Sequence, residues 1–347
     1  MPKAWVIVAT FSALLFSDAC NDSPSPRTDN NDNPQGSAAI NAKLQPGINL
    51  GNALEAPNEG DWGVTIQDNY FAIMKSAGFR SVRLPIRWSA HAATVSPYTI
   101  DPLFLNRVRH VVNTALQQEL SVVINIHHYD ELFTQPAEHR TRFLALWSQL
   151  AEQFQDFPAD LLFEVLNEPH DQLTATLWNE YLQEALIVIR ESNPRRALII
   201  GVAEWGGIGA LNQLSLPDSD TNLIVTVHYY EPFTFTHQGA EWVAGSDRWL
   251  GTTWSATSAQ KKAIDDHFQQ IKGWAVAHNR PIYIGEFGAY QKADLNSRRL
   301  WTAYIVNKCR DLGFSYAYWE FCSGFGAYDA GAGTWRQPLL EALLQNP

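Results

Sequence analysis

Two carboxylates in this sequence stand where chemistry, not packing, would place them. Glu168 follows the apolar run Leu161–Asn167, in Leu166-Asn167-Glu168-Pro169, and Glu286 closes the run Pro281–Glu286, in Gly285-Glu286-Phe287-Gly288. A buried apolar strand gains nothing by ending in an uncompensated charge. Two carboxyls that face each other can do work, because one can protonate a leaving oxygen while the other attacks or activates water. Glycosidic cleavage needs that pair. A gap of about 5–5.5 Å leads to retention and one of about 6.5–9.5 Å to inversion, and both stay open at this point.

Other polar residues gather at neighbouring run ends. Arg83 and Tyr230 suit a role beside Glu286, since a cation and a hydroxyl donor both favour an ionised carboxylate. Asn167 could bond a sugar 2-hydroxyl, a contact that strengthens at the transition state. His127, His128 and His228 can donate to sugar hydroxyls or tune the acid, and Trp319 offers an apolar face to a pyranose ring. Adjacent strand residues point to opposite faces, so at most one of His127 and His128 should enter the site. No Cys/His spacing supports a structural zinc, and no metal or cofactor is expected. A metal-dependent hydrolase using His127, His228 and a carboxylate is the remote alternative.

These residues need a scaffold that brings distant run ends together. Short apolar runs are expected as strands at Pro46–Asn49, Ser81–Pro85, Ser121–His127, Leu161–Asn167, Ala197–Gly201, Leu223–Tyr229, Pro281–Glu286 and Ser315–Glu320. Amphipathic helical patterns lie between them, at Ile66–Ala77, Pro102–Gln118, Arg140–Phe154, Thr174–Glu191, Gln260–His278 and Leu295–Leu312, with a last one at Gln337–Leu344. Strands apolar on both faces and alternating with helices argue for parallel pairing. Eight such units make an α/β fold of the (β/α)8 TIM-barrel type, whose active site lies at the C-terminal strand ends. The weak link is Gly206–Leu216, which leaves little room for a fifth helix. A doubly wound sheet lacks support, because no GxGxxG follows the first strand. Trp88, Trp147, Trp178 and Trp274 are expected in the core, with Tyr318 pointing outward beneath a helix.

Composition narrows the partners. The net charge of -11 repels nucleic acid and anionic membranes, while thirteen Trp suit a neutral polymer such as a β-linked polysaccharide. Lys3 and the apolar run Ala4–Phe16 form a secretory leader, too short to span a membrane. Cys20, after a small residue and before a polar stretch, allows a bacterial lipoprotein site as well as plain secretion. The chain is thus expected to divide into a signal peptide at 1–20, a flexible tether at 21–40 and one catalytic domain at 41–347. It should be secreted, periplasmic or on the outer surface, and monomeric, with no protein partner. Cys309 and Cys322 could pair or remain free thiols.

Taken in order, GINLGN (47–52), VRLPIRW (82–88), NIHHY (125–129), LNEP (166–169), His228–Tyr230, GEFG (285–288) and YWEF (318–321) resemble the glycoside hydrolase family 5 cellulases. The resemblance covers essentially all of the chain after the tether. It implies retaining, endo-acting hydrolysis of β-1,4-glucan, with Glu168 as acid/base and Glu286 as nucleophile. A finer resemblance, carried by residues 52–57, 235–242 and 321–326, is to a bacterial subset that accepts glucan and mannan. It adds Asn52, Glu55, His237 and Trp242 as substrate-binding candidates and leaves a primarily mannan- or xyloglucan-directed activity as the alternative.

Overall fold

The structure is a computed structural model that describes Met1 and residues 36–344. The leader, Cys20 and the tether up to residue 35 lie outside the described residues.

Eight parallel strands close into one barrel in chain order. They are β1 (Gly47–Asn49), β2 (Ser81–Leu84), β3 (Ser121–Asn125), β4 (Leu161–Glu164), β5 (Leu198–Gly201), β6 (Leu223–His228), β7 (Ile282–Glu286) and β8 (Ser315–Tyr318). The TIM barrel expected from the alternating pattern is therefore the fold. Helices follow most strands, and after β5 a 3₁₀ turn at Ile208–Gln213 stands where the sequence left little room for a helix. The helix expected from Arg140 begins one turn earlier, with Pro136 in its first turn, where a missing N–H costs nothing.

The two-residue period of each strand divides the core. Val123, Leu162, Ile199, Ile224, Tyr283 and Ala317 form a buried cluster inside the barrel. Their chain neighbours, such as Val122, Ile124, Leu161, Phe163, Ile282 and Ile284, join the larger cluster shared with the helices. Further along the strands the inward positions turn polar, as Asn49, Arg83, Asn125 and Glu164, all fully buried. Indole N–H groups tie surrounding elements to this upper layer. Trp88 donates to the Asn125 carbonyl, Trp147 to Val165 and Trp178 to Gly201. Trp274 is also buried, and Tyr318 lies outside the barrel against Phe287.

The lower end is closed by a short helix, Ser37–Lys43. Asn41 Nδ2 donates to the Ile282 carbonyl at 2.9 Å, and Ser315 Oγ donates to Asn41 Oδ1 at 2.5 Å. Leu44 then enters the interior cluster. Residues 37–40, assigned from the sequence to a tether at 21–40, are instead helical and belong to this plug. Cys309 and Cys322 are both free, the first buried in the core.

Leu44→Ala would leave a void at the floor of the barrel. It is expected to cost about 2–5 kcal/mol in urea unfolding. A loss below about 1 kcal/mol would mean that the plug is not part of the core.

Candidate active site

The site is built around Arg83, whose side chain is fully buried. Its Nε and Nη2 donate to Glu164 Oε2 and Oε1 at 2.6 and 2.7 Å. Nη2 also donates to Asn167 Oδ1 at 2.7 Å, and Nη1 donates to Asn49 Oδ1 at 2.9 Å and Glu286 Oε1 at 2.6 Å. A guanidinium has five N–H donors, and each has an acceptor here.

Glu286, at the end of β7, is held from both sides. Arg83 reaches Oε1, while the Tyr230 hydroxyl donates to Oε2 at 2.9 Å. Burial pushes its carboxyl up, yet the charges of His228 and Arg83 and these hydrogen bonds outweigh burial and hold it below the ordinary carboxylate range. Tyr230 itself, buried beside two carboxylates, titrates well above a normal phenol and remains a donor.

Glu168 lies four residues beyond the end of β4. Its backbone adopts φ 44°, a left-handed conformation that turns the carboxyl back over the barrel mouth. Glu168 Oε1 sits 2.6 Å from His228 Nδ1, which in turn lies 3.7 Å from Glu286 Oε2. The two glutamates and His228 bring one polar atom each to within 4.8 Å of one another. Burial pushes the His228 imidazole down, but Glu286 and Glu168 more than reverse that and raise its proton affinity. His228 needs space here. A Cβ at Gly285 would meet Thr226 Oγ1 at 2.5 Å and His228 Nε2 at 3.3 Å, so only glycine fits beneath it.

His127 is neutral, because burial first and then repulsion by His128 and Arg83 lower its proton affinity well below normal. Asn125 Oδ1 accepts the Ile86 N–H, so Asn125 Nδ2 donates to His127 Nδ1. That arrangement assigns the imidazole proton to Nε2, which becomes a fixed donor. The strand alternation expected to part His127 from His128 does not extend this far. β3 stops at Asn125, and φ 48° at His128 brings the two rings within 4.5 Å. His127 is also absent from the convergent group of Glu168, His228 and Glu286, contrary to the metal-hydrolase alternative.

Trp319 lies parallel to His127, with ring centres 6.1 Å apart. Its indole crosses Gly51 so closely that a Cβ there would come within 2.8 Å of it. Asn167, with Oδ1 taken by Arg83, keeps Nδ2 for a ligand.

The chain matches the model of the cellulase family, glycosyl hydrolase family 5, over residues 41–324. It belongs to that family. Cel5A of Thermotoga maritima, solved with mannotriose, is 56% identical and aligns with a TM-score of 0.87, covering 88% of this chain and 99% of that one. A hyperthermophilic endo-β-1,4-glucanase solved with substrate gives 47% and 0.88, over 90% and 100% of the two chains. Endoglucanase H of Acetivibrio thermocellus is 35% identical across 88% of this chain, which spans only 33% of that protein.

The remaining candidates of this family 5 chain divide in two. His237 is buried among Phe233, Tyr230 and Phe325, and burial lowers its imidazole to about 4. It therefore stays neutral. Trp242 is 60% exposed and packs edge-on against Tyr290. Asn52 is half-buried, whereas Glu55 is almost wholly buried and accepts the backbone N–H groups of Asn52 and Ala53. Burial raises the Glu55 carboxyl to about 8, and this side chain shapes the loop after β1 instead of lining its surface. Glu320 plays the same part after β8, raised by burial to about 7 and accepting from Cys322, Ser323 and Phe325.

The sequence reading passed over several residues. Glu164 and Asn125 lie inside apolar runs, and the signal was the pairing of Arg83 with Glu164, opposite charges on two strands that must be buried. Trp205, 54% exposed just after β5, stacks on His170 at 4.4 Å. Trp62, 40% exposed, meets His128 edge-on at 5.4 Å.

Tyr230→Phe removes one donor to the Glu286 carboxylate. The acid limb of kcat/KM on soluble β-glucan is expected to rise by about one pH unit. An unmoved limb would mean that this hydroxyl does not set the charge of Glu286.

Proposed function

We propose that this chain is an endo-β-1,4-glucanase that works by double displacement, with Glu286 as nucleophile and Glu168 as acid/base. The observation that carries this reading is the approach of the two glutamates across the barrel mouth, to within 4.8 Å between their nearest relevant oxygens. That approach suits the short separation of retaining enzymes, not the wider one that must admit a water.

In the first step Glu286 attacks the anomeric carbon while Glu168 gives its proton to the departing oxygen. In the second, Glu168 takes a proton from water, and that water displaces Glu286 from the sugar. The surroundings divide these tasks. Glu286 has a cation and a hydroxyl donor that favour its ionised form. The Glu168 carboxylate pairs with His228 and keeps 23% of its side chain open, where a leaving group and then a water can reach it. Asn167 Nδ2 and His127 Nε2 are fixed donors for sugar hydroxyls. Exposed indoles on the loops after β1, β5 and β6 supply apolar faces for several pyranose rings, which suits attack within a long chain.

Mannan is the second substrate proposed. The same Thermotoga maritima Cel5A has been solved with mannotriose and with cellobiose, at 56% identity to this chain. Glucose and mannose differ at one hydroxyl, a difference that ring stacking barely senses. The apolar run Ala4–Phe16 supports export, with Cys20 as the site at which lipidation would be looked for.

Glu286→Ala is expected to lose at least about a thousandfold in kcat on soluble glucan. Glu168→Ala should lose about a hundred- to ten-thousandfold on polysaccharide while sparing the first step of aryl glycosides with good leaving groups. NMR of the fresh product should show the β-anomer first. Near-normal turnover by Glu286→Ala, or an initial α-product, would overturn the reading. A panel of carboxymethyl cellulose, mixed-linkage glucan, glucomannan, galactomannan and xylan tests the sugar preference.

A further inference from the structure

Glu164 is a charged group at the centre of the site to which the reaction gives no task. It is fully buried and touches no position that a sugar could occupy. Both of its oxygens are engaged by Arg83, at 2.6 and 2.7 Å, and Asn125 Nδ2 lies 3.5 Å from Oε1. A buried ion pair is a poor device for stability alone, since apolar replacements of equal volume often serve as well or better. This pair, however, sits directly behind the carboxylate that must attack carbon.

Consider Arg83 without it. A full positive charge would lie 2.6 Å from Glu286 Oε1 in a buried setting. Such a charge stabilises the carboxylate and so makes it a weaker base and a poorer nucleophile. Two short bonds from the opposite edge of the guanidinium spread that charge toward β4. They also fix the guanidinium plane, so that Nη1 points at Glu286 and Nη2 at Asn167.

We propose that Glu164 is a positioning residue for the family 5 reaction, which balances the charge of Arg83 so that Glu286 is held in direction but keeps its nucleophilicity. This rests on Glu286 being the nucleophile. The consequence falls unequally on the two steps. An over-stabilised Glu286 attacks more slowly in the first step, yet it departs more readily in the second.

The test is Glu164→Gln in the full chain, which keeps the volume and removes the charge. The acid limb of kcat/KM should fall by about one pH unit, since the uncompensated guanidinium then favours ionised Glu286. Aryl cellobiosides with poor leaving groups should lose about tenfold or more in kcat/KM, while kcat for the dinitrophenyl cellobioside, set by the second step, should hold or rise. A purely structural role predicts the opposite sign: Arg83 would swing away from Glu286, and the limb would rise. An unmoved or raised limb in a folded enzyme therefore overturns the proposal.

If Glu164→Gln does not fold, Glu164→Asp and Glu164→Asn carry the same comparison at equal size. The Asp variant should keep the wild-type limb and the Asn variant should lower it. If Asp folds and neither neutral variant does, the carboxylate serves stability and the proposal fails. Loss of the reading itself would show elsewhere, as activity retained by Glu286→Ala.

Discussion

The structure depends on the placing of one buried cation. A guanidinium taken from water into a protein interior must find an acceptor for each donor, or its desolvation is not offset. Arg83 finds them on three strands or their extensions: Asn49 on β1, Glu164 on β4, Asn167 just beyond β4, and Glu286 on β7. Asn49 is its direct register partner on the neighbouring strand. A slip of one residue in any of these strands would turn the acceptor to the opposite face and leave both partners unpaired. The chemistry and the register of the barrel are therefore set by the same contacts. Below that layer the interior is apolar and closed by Leu44 and the plug helix.

The same arrangement makes two like residues unlike. Glu286 is buried, with Arg83 and Tyr230 on its two oxygens. Glu168, carried on a turn and partly open, pairs through its carboxylate with His228. His228 stands between the two, close enough to both that its proton affinity rises in spite of burial. Proton transfer on the Glu168 side is thus separated from carbon attack on the Glu286 side, although the groups come within 4.8 Å.

Strand periodicity and polar run ends made the barrel, the two glutamates and most of their helpers legible in the sequence. What escaped shares a physical cause. Glu164 and Asn125 lie within runs whose apolar neighbours dominate any pattern, and only the need to neutralise a buried Arg83 reveals them. His127 and His128 were read as strand residues, but the ladder ends at Asn125 and the two-residue rule ends with it. Glu55 carries a charge just past a strand end and is expected from the sequence to meet a sugar hydroxyl. Its loop instead folds over it to satisfy backbone N–H groups that burial would leave orphaned.

Strand ends alone would not hold the rim still, because the working residues lie past the formal ladder. Backbone bonds continue beyond it. Leu50 N–H reaches the Arg83 carbonyl, His127 N–H reaches Ile86, Asn167 N–H reaches Ile126 and Trp319 N–H reaches Phe287. The residues that follow, Asn52, His128 and Glu168, all take positive φ, a strained conformation for side chains of this size. Such a turn reverses the side chain toward the mouth within one or two residues of a fixed hydrogen bond. A looser loop could reach the same place only with more freedom. Strain at the rim is in this sense the counterpart of rigidity below it: the sheet holds the last anchored residue, and the left-handed turn converts that anchorage into the aim of a carboxylate.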